Sequence, residues 1–484
     1  MNIKNIAYSV LFLTCLFTLQ GCKDQWDDHN GLTNEANKLT LTEQIATDPT
    51  LSKFYEYLVS TGYDKVLESS QTFTVWAPSN TALEALNTAE PGYLTNAINL
   101  KSFIGNHIVK MMYPISKAGD TLRVQTLNGK YINMINDKFE NILITKADQY
   151  TKNGVLHVVG QAVPVKVRIW TILNALTGYS QIAAMKSLDT VVLGAAGDTI
   201  ANKMSPTWLL YSAALNTENR QYTYFVLNNS AFATEISKIM PYYQSTSISP
   251  DSTTEYLTKL SMLKDVMVSG IYTVENLVDT PLIAVSGVRI PIKKANIIAS
   301  IPASNGIVHI VNALPYPLNY KIKDIVIQGE LPSSFRNTEK RSVTYYRTKA
   351  DTLGKKYQDI EIYAHVTSEY YIDYKGRGLN SVTYKVFGRA VFGLPGDSQI
   401  TGFTQRVAFA DVATGLYSLN YTGALPFVVG HRTGKTRFDE YELGTYTKTK
   451  FGTINFRLIS AAVTTTGINT LMLDYIRLEP VLPQ

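Results

Sequence analysis

Residues 71–83 read QTFTVWAPSNTAL and residues 220–232 read RQYTYFVLNNSAF, a match at an offset of 149 that sets Asn80 opposite Asn229. Farther along, NGVLHVV (153–159) matches NGIVHIV (305–311) at an offset of 152. Upstream, Thr61-Gly62-Tyr63 matches Thr177-Gly178-Tyr179 at an offset of 116. Three matches in the same order mark a duplicated domain. The upstream offset and the first differ by 33 (149 − 116), which places an insertion at roughly 188–220 of the second copy. The later offsets differ by only 3 (152 − 149), so the remainder is nearly collinear.

Each copy reads physically in the same way. Leu51, Phe54, Leu58 and Val59 recur at helical spacing, as do Ile169, Ile172, Leu173 and Leu176. Gly62 and Gly178 stand where a left-handed cap would stop each helix. Strands are expected at 73–76 and 222–225, followed by Asn80-Thr81 or Asn229-Ser230 to cap a short helix. An Asn-Gly turn and an apolar strand, 155–159 or 307–311, close the unit.

FTVWAPSNTAL (73–83), GNHIV (105–109) and NGVLHVVGQAV (153–163) together resemble the fasciclin domain. The resemblance covers 38–167 directly and 168–320 by way of the repeat. The second copy departs from it, with VLNNSAF in place of the Ala-Pro-Thr-Asn box and no histidine in SMLKDVMVSG (261–270). It implies an α+β extracellular interaction module without catalytic chemistry. What such a module binds does not follow from its fold.

From about 325 to 484 the pattern changes. IEIYAHV (360–366), SVTYKVFG (381–388), TINFRLISAAV (453–463) and NTLMLDYIRLEP (469–480) alternate apolar and polar residues between glycine turns. The expected fold is an antiparallel β-sandwich. Its ending, LMLDYIRLEP, is similar to the last strand of jelly-roll domains related to carbohydrate-binding modules. The whole chain thus reads as two fasciclin-like α+β domains followed by a jelly-roll-like sandwich.

The beginning of the chain carries an address. Lys4 precedes an apolar run over 6–19, too short to span a bilayer and of the length of a secretory signal. Leu19-Gln20-Gly21-Cys22 resembles a bacterial lipobox, which implies a signal peptide over 1–21 and lipidation of Cys22. Lys23, Asp24, Asp27 and Asp28 lie in a polar, acidic tether over 22–37. That arrangement resembles the export signal of Bacteroidota lipoproteins and implies an outer-membrane protein facing the cell exterior. Cys15 lies within the signal, so the mature chain has neither a disulfide nor a catalytic thiol. The net charge of +6 is confined to residues 321–484, which hold 21 Lys+Arg against 15 Asp+Glu, with 24 of each before them. So diffuse a surplus excludes the basic stripe of a nucleic-acid binder.

Catalytic motifs fail one by one. GHRTGKT (430–436) is one residue short of a phosphate-binding loop, and the RFDEYELGTY that follows reads as turn and strand rather than helix. The histidines at 29, 107, 157, 309, 365 and 431 are too scattered for a local metal motif. His157 and His309 sit in apolar strands and read as core residues. Asp439, Glu440 and Glu442 cluster without a catalytic spacing. Asp474 resembles positions that hold structural calcium in some jelly rolls, with no second ligand identifiable. No cofactor is otherwise expected, and the chain reads as a non-enzyme.

Binding is what remains. Tyr370, Tyr371 and Tyr374 beside a glycine turn, and Tyr242 and Tyr243 in a polar loop, are candidate ligand contacts, since tyrosine offers a flat face and a hydroxyl. Trp208, Leu209 and Tyr211, in the apolar SPTWLLYSAAL, are candidate partner contacts. The resemblance to surface lipoproteins implies an accessory subunit of a starch-utilisation-type glycan importer, beside a TonB-dependent channel and its lid lipoprotein. An adhesin acting through its fasciclin domains, or a structural lipoprotein, fits the same residues.

Overall fold

A computed structural model describes residues 39–115, 121–193, 199–204, 206–245, 252–277, 280–336, 341–410, 424–461 and 469–483. The chain divides into two compact units. One comprises 1–169, 216–220 and 302–305, and the other 170–215, 221–301 and 306–484.

In the first unit, helices α1 (Leu41–Thr47), α2 (Ser52–Ser60) and α3 (Tyr63–Leu67) lead into strand β1 (Phe73–Pro78). Thr40 opens α1 with a capping box to Glu43. Helices α4 (Asn80–Ala89) and α5 (Ala97–Asn106) follow, then β2 (Ile108–Lys110), β3 (Thr121–Gln125), β4 (Tyr131–Ile135), β5 (Lys138–Phe139), β6 (Ile142–Thr151) and β7 (Gly154–Val159). They form one sheet in the order β2-β1-β7-β6-β5-β4-β3. β1 and β7 run parallel, Phe73 opposite Gly154, and both are buried along their whole length. That is why they read as continuous apolar runs and not as alternating ones. Leu41, Phe54, Leu58, Phe73, Phe103 and Leu156 pack one core, and Trp76, Val109, Ile132 and Phe139 another. Gly154 is demanded by close approach, since a Cβ there would lie 2.1 Å from the Phe73 carbonyl oxygen. Glu218 is buried in this unit, with Lys130 Nζ and Arg168 Nε each 2.9 Å from its Oε1.

The second copy runs through α6 (Ile169–Ala175), α7 (Ser180–Lys186), β8 (Asp189–Leu193), β9 (Thr199–Met204), α8 (Pro206–Leu215), β10 (Tyr222–Leu227), α9 (Asn229–Ile239) and α10 (Ser252–Asp265). β11 (Met267–Ser269), β12 (Leu282–Ile283), β13 (Arg289–Ile290), β14 (Ile297–Ala303), β15 (Gly306–Val311) and α11 (Leu318–Lys321) complete it. β10 and β15 pair in parallel, Tyr222 opposite Gly306, in the register of β1 and β7.

Hydrogen bonds locate the equivalent positions and correct two expectations. Asn80 and Asn229 do not cap the helices they begin; Ser79 and Asn228 do, accepting from Ala82 and Ala231 N–H. Asn80 Oδ1 accepts instead from Lys53 N–H at 3.0 Å, and Asn229 Oδ1 from Ser180 N–H at 2.7 Å, so Lys53 and Ser180 correspond. Asn153 and Asn305 likewise accept from Leu41 and Ile169 N–H, and donate to the carbonyls of Leu67 and Thr217. The offset is therefore 127 (180 − 53) at α7 and 150 (217 − 67) after α8. The insertion is 23 residues (150 − 127), close to the β8–β9 hairpin, and α8 is the counterpart of α3. The 33-residue reading over 188–220 came from pairing Gly62, which ends α2, with Gly178, which follows α6. Both glycines have positive φ, 76° and 81°, because both end helices, but not equivalent ones.

The C-terminal strands, all antiparallel, are β16 (Ile325–Gln328), β17 (Ser334–Phe335), β18 (Thr344–Ala350), β19 (Lys356–Tyr363), β20 (Tyr371–Leu379) and β21 (Thr383–Arg389). β22 (Phe403–Phe409), β23 (Leu425–Val429), β24 (Tyr441–Thr447), β25 (Gly452–Ser460), β26 (Thr470–Leu473) and β27 (Tyr475–Pro480) follow. They make a five-stranded sheet, β17-β20-β25-β22-β23, together with sheets β16-β27-β21-β24 and β18-β19-β26. Ile360, Tyr374, Phe427, Phe456, Leu458 and Ile476 are among the side chains of their common core. Sandwich and second copy belong to one unit, where Asn380 Nδ2 and Ser381 N–H donate to the Tyr242 carbonyl.

Candidate binding surface

Strand β20 places the tyrosines by simple alternation. Tyr374 points inward, fully buried, stacked on Phe456 at 4.9 Å with its hydroxyl donating to the Gly329 carbonyl at 2.9 Å. Tyr370, just before the strand, is 1% exposed and lies 5.1 Å from the His365 ring. Tyr242 and Tyr243 are also buried, Tyr243 against Phe451 at 5.0 Å. These four are packing residues, which corrects their reading as ligand contacts. Their glycine and polar neighbours in sequence marked turns, not a surface.

Tyr371 alone of the five faces outward, half-buried. It lies in register with Ile459 and Arg406 across the sheet. The Arg457 guanidinium rests 3.3 Å from its ring centroid and Arg336 lies 5.9 Å away. Arg457 Nε donates to Asp373 Oδ1 at 2.7 Å, and Ser334 Oγ to Asp373 Oδ2 at 2.9 Å. Arg406 Nη2 donates to Glu369 at 2.7 Å, and Arg336 Nη1 to the Ser368 carbonyl at 2.6 Å. One sheet face thus carries an aromatic ring set among three arginines and two carboxylates. The alternation of TQR (404–406) and NFR (455–457) contained the signal for those arginines, but only strand pairing puts them beside Tyr371.

A second polar cluster is interior. Arg347 grips Asp359 at 2.9 and 2.7 Å and Glu361 at 2.6 Å, while Lys349 pairs with Asp397 at 2.9 Å. Asp474, between β26 and β27, is 2% exposed with Oδ2 2.9 Å from Arg389. Burial pushes its carboxyl up to about 7; Arg389 opposes the shift, and Asp359 and Glu330 add to it. Among the described residues no three of His, Cys, Asp or Glu are grouped to hold a metal ion. Among the described residues Asp474 is thus the partner of Arg389.

Glu440 is held by Arg477 at 2.9 and 2.7 Å, and the GHRTGKT segment is turn without helix, with Arg432 3.6 Å over the Tyr441 ring. His157 and His309 are buried, their Nε2 atoms 3.0 and 2.7 Å from the carbonyls of Tyr113 and Tyr272. A carbonyl only accepts, so both rings carry the proton on Nε2, and each staples the loop after its sheet's edge strand. A cleft of about 690 Å³ opens where Pro317, Leu318 and Ile322 face Glu479 and Pro480, without an aromatic wall. Trp208, Leu209 and Tyr211 lie on α8; Tyr211 is half-buried, Leu210 beside it is 72% exposed, and the side chains of Trp208 and Leu209 fall outside the described residues. Cys22 and the acidic tether also fall outside them. No described helix is long and apolar enough to cross a membrane.

Comparison with known proteins identifies residues 49–163 as a fasciclin domain. A pair of FAS1 domains from the insect cell adhesion molecule Fasciclin I aligns over 56% of this chain and 99% of its own, at 17% identity and a TM-score of 0.24. A family 35 carbohydrate-binding module from Clostridium thermocellum aligns over 33% of this chain and 99% of its own, at 16% identity and a TM-score of 0.21. A CBM36 domain of a xylanase from the hindgut metagenome of Trinervitermes trinervoides aligns over 33% and 100%, at 10% identity and a TM-score of 0.21. No curated protein sequence matches the chain.

Proposed function

We propose that this protein is a lipid-anchored lipoprotein on the outer face of a Bacteroidota outer membrane, which binds glycan without catalysis. In this reading it serves as an accessory of a starch-utilisation-type importer, beside a TonB-dependent channel and its lid lipoprotein. The observation that carries the binding reading is the outer face of the five-stranded sheet. Tyr371, Arg336 and Arg406 stand on one flat strand surface, where guanidinium donors and a ring edge suit the hydroxyls of a sugar. Glu369 holds Arg406, Asp373 holds the neighbouring Arg457, and both carboxylates supply acceptors beside them.

Affinity electrophoresis of the native protein in gels containing common polysaccharides tests the binding. Retardation by at least one polysaccharide is expected, and the double variant Tyr371→Ala, Arg406→Ala should weaken it about tenfold, the loss of one or two net hydrogen bonds. Turnover of any of them that disappears in Glu440→Gln would overturn the non-catalytic reading. Pull-down from native membranes in mild detergent should bring channel and lid with the lipoprotein. Adhesion is the second reading, favoured by the fasciclin domain at 49–163. Recovery of the lipoprotein alone, with no retardation on any gel, would put adhesion first.

A further inference from the structure

The second unit buries an ion pair that the binding surface does not use. Lys321 ends α11 and Asp265 ends α10, and their side chains meet with 3% and 2% of their surface exposed. Lys321 Nζ donates to Asp265 Oδ2. The other carboxylate oxygen, Oδ1, accepts from Ser286 Oγ at 2.8 Å, and Lys321 Nζ reaches the Ser261 carbonyl at 3.3 Å. The Tyr243 ring lies 5.8 Å from Nζ. Glu235, a second buried carboxyl, is bonded to Lys238 at 3.1 Å.

We propose that Lys321 and Asp265 are joined by an intramolecular isopeptide bond, formed within the folded chain. A proton passes from the ammonium to the carboxylate, leaving an amine and a carboxylic acid. The nitrogen lone pair attacks Asp265 Cγ, the Cγ–Oδ2 bond breaks, and Oδ2 departs as water. Of the three ammonium protons, two leave with Oδ2 and one stays on the amide nitrogen, so atoms and charge balance without an oxidant or a cofactor. The proton shed by the nitrogen of the tetrahedral intermediate passes to the adjacent leaving oxygen Oδ2.

Three features favour the amide over a permanent ion pair. Fixed apposition of amine and carboxyl converts a bimolecular condensation into an intramolecular one. The product's atoms already have partners: Oδ1 keeps the Ser286 hydroxyl, which also polarises the carbonyl during attack, and the amide N–H keeps the Ser261 carbonyl. A buried ion pair at best breaks even against its desolvation, whereas condensation deletes both charges and expels the water that would reverse it. The bond would tie two segments 56 residues apart into a closed loop, a clamp suited to a protein exposed to proteases.

Peptide mapping of the full-length native protein decides the matter. A joined peptide is expected, lighter by one water than the sum of its two parts, with no tryptic cleavage after Lys321. In Lys321→Arg, which keeps the positive charge but lacks the amine nucleophile, the joined peptide should vanish while the circular dichroism spectrum is retained. Recovery of Asp265 and Lys321 only in separate, unmodified peptides from the native chain would overturn the proposal, whatever the variants do.

Discussion

His107 shows how one residue's setting becomes a property of the fold. It follows α5, is 2% exposed, and its Nδ1 lies 2.8 Å from the Phe103 carbonyl, with Phe103 and Phe139 rings at 4.4 and 5.2 Å. Burial pushes its pKa from 6.5 down to about 4, so the folded chain refuses a proton that the unfolded chain accepts. Between those pH values the unfolded state binds more protons, and stability is lost as pH falls from 6.5 towards 4. The loss at the lower end should approach about 3 kcal/mol from this residue alone. Urea unfolding of native protein and His107→Leu at pH 7 and pH 4.5 checks this: the variant should show the smaller pH dependence. Equal slopes would remove His107 as the source. GNHIV placed a histidine before a strand, but its depth depends on Phe139, 32 positions away, which no local pattern connects to it.

At the scale of elements, the strands were legible and the helices were not aligned correctly. β1, β7, β10 and β15 fall where apolar runs bounded by Asn-Gly and by the Ser79 or Asn228 caps put them. The helices misled because a Thr-Gly-Tyr string can end any helix, whereas the Asn80 and Asn229 bonds reach back across 27 and 49 residues. Two opposite outcomes follow. Asp189 pairs with Met204, so a two-residue Asn-Gly turn in place of 190–203 closes the chain without moving its ends. That deletion should leave the second copy folded, since the first copy reaches the same parallel pairing of its two central strands without these residues. Removing α8, whose Leu215 is fully buried and which leads to the Thr217 carbonyl bound by Asn305, should abolish folding of the second copy. Asn80→Ala should cost roughly 1–3 kcal/mol, because Lys53 N–H and the Pro49 carbonyl lose their partner together. Thermal melts of the three variants separate inserted from integral structure, and a collapse of the hairpin deletion would refute the 23-residue insertion.

For the whole molecule, order along the chain was legible, while the site depended on pairing between distant strands. The switch to alternating strands after 325 announced the sandwich, but Tyr371 meets Arg406 and Arg457 only because β20, β25 and β22 are neighbours. Local tyrosine clusters selected core residues instead, since aromatic side chains fill strand interiors as readily as surfaces. The remaining expectation concerns where the molecule resides, and it rests on Cys22. Acyl chains contribute about 0.8 kcal/mol per buried methylene, and two or more chains give durable attachment. In this reading attachment runs through the acyl chains: no apolar run of 18 residues follows Cys22, and the full chain's net charge of +6 is diffuse and screened by salt. Cys22→Ala should therefore appear in the soluble fraction after a salt wash, while the native protein stays with membranes. If the tether exports the protein to the outer face, protease added to intact cells should digest the native form and spare a periplasmic control. A Cys22→Ala protein that still sediments with salt-washed membranes would end the lipid-anchor reading, and native protein protected in intact cells would end the outward one.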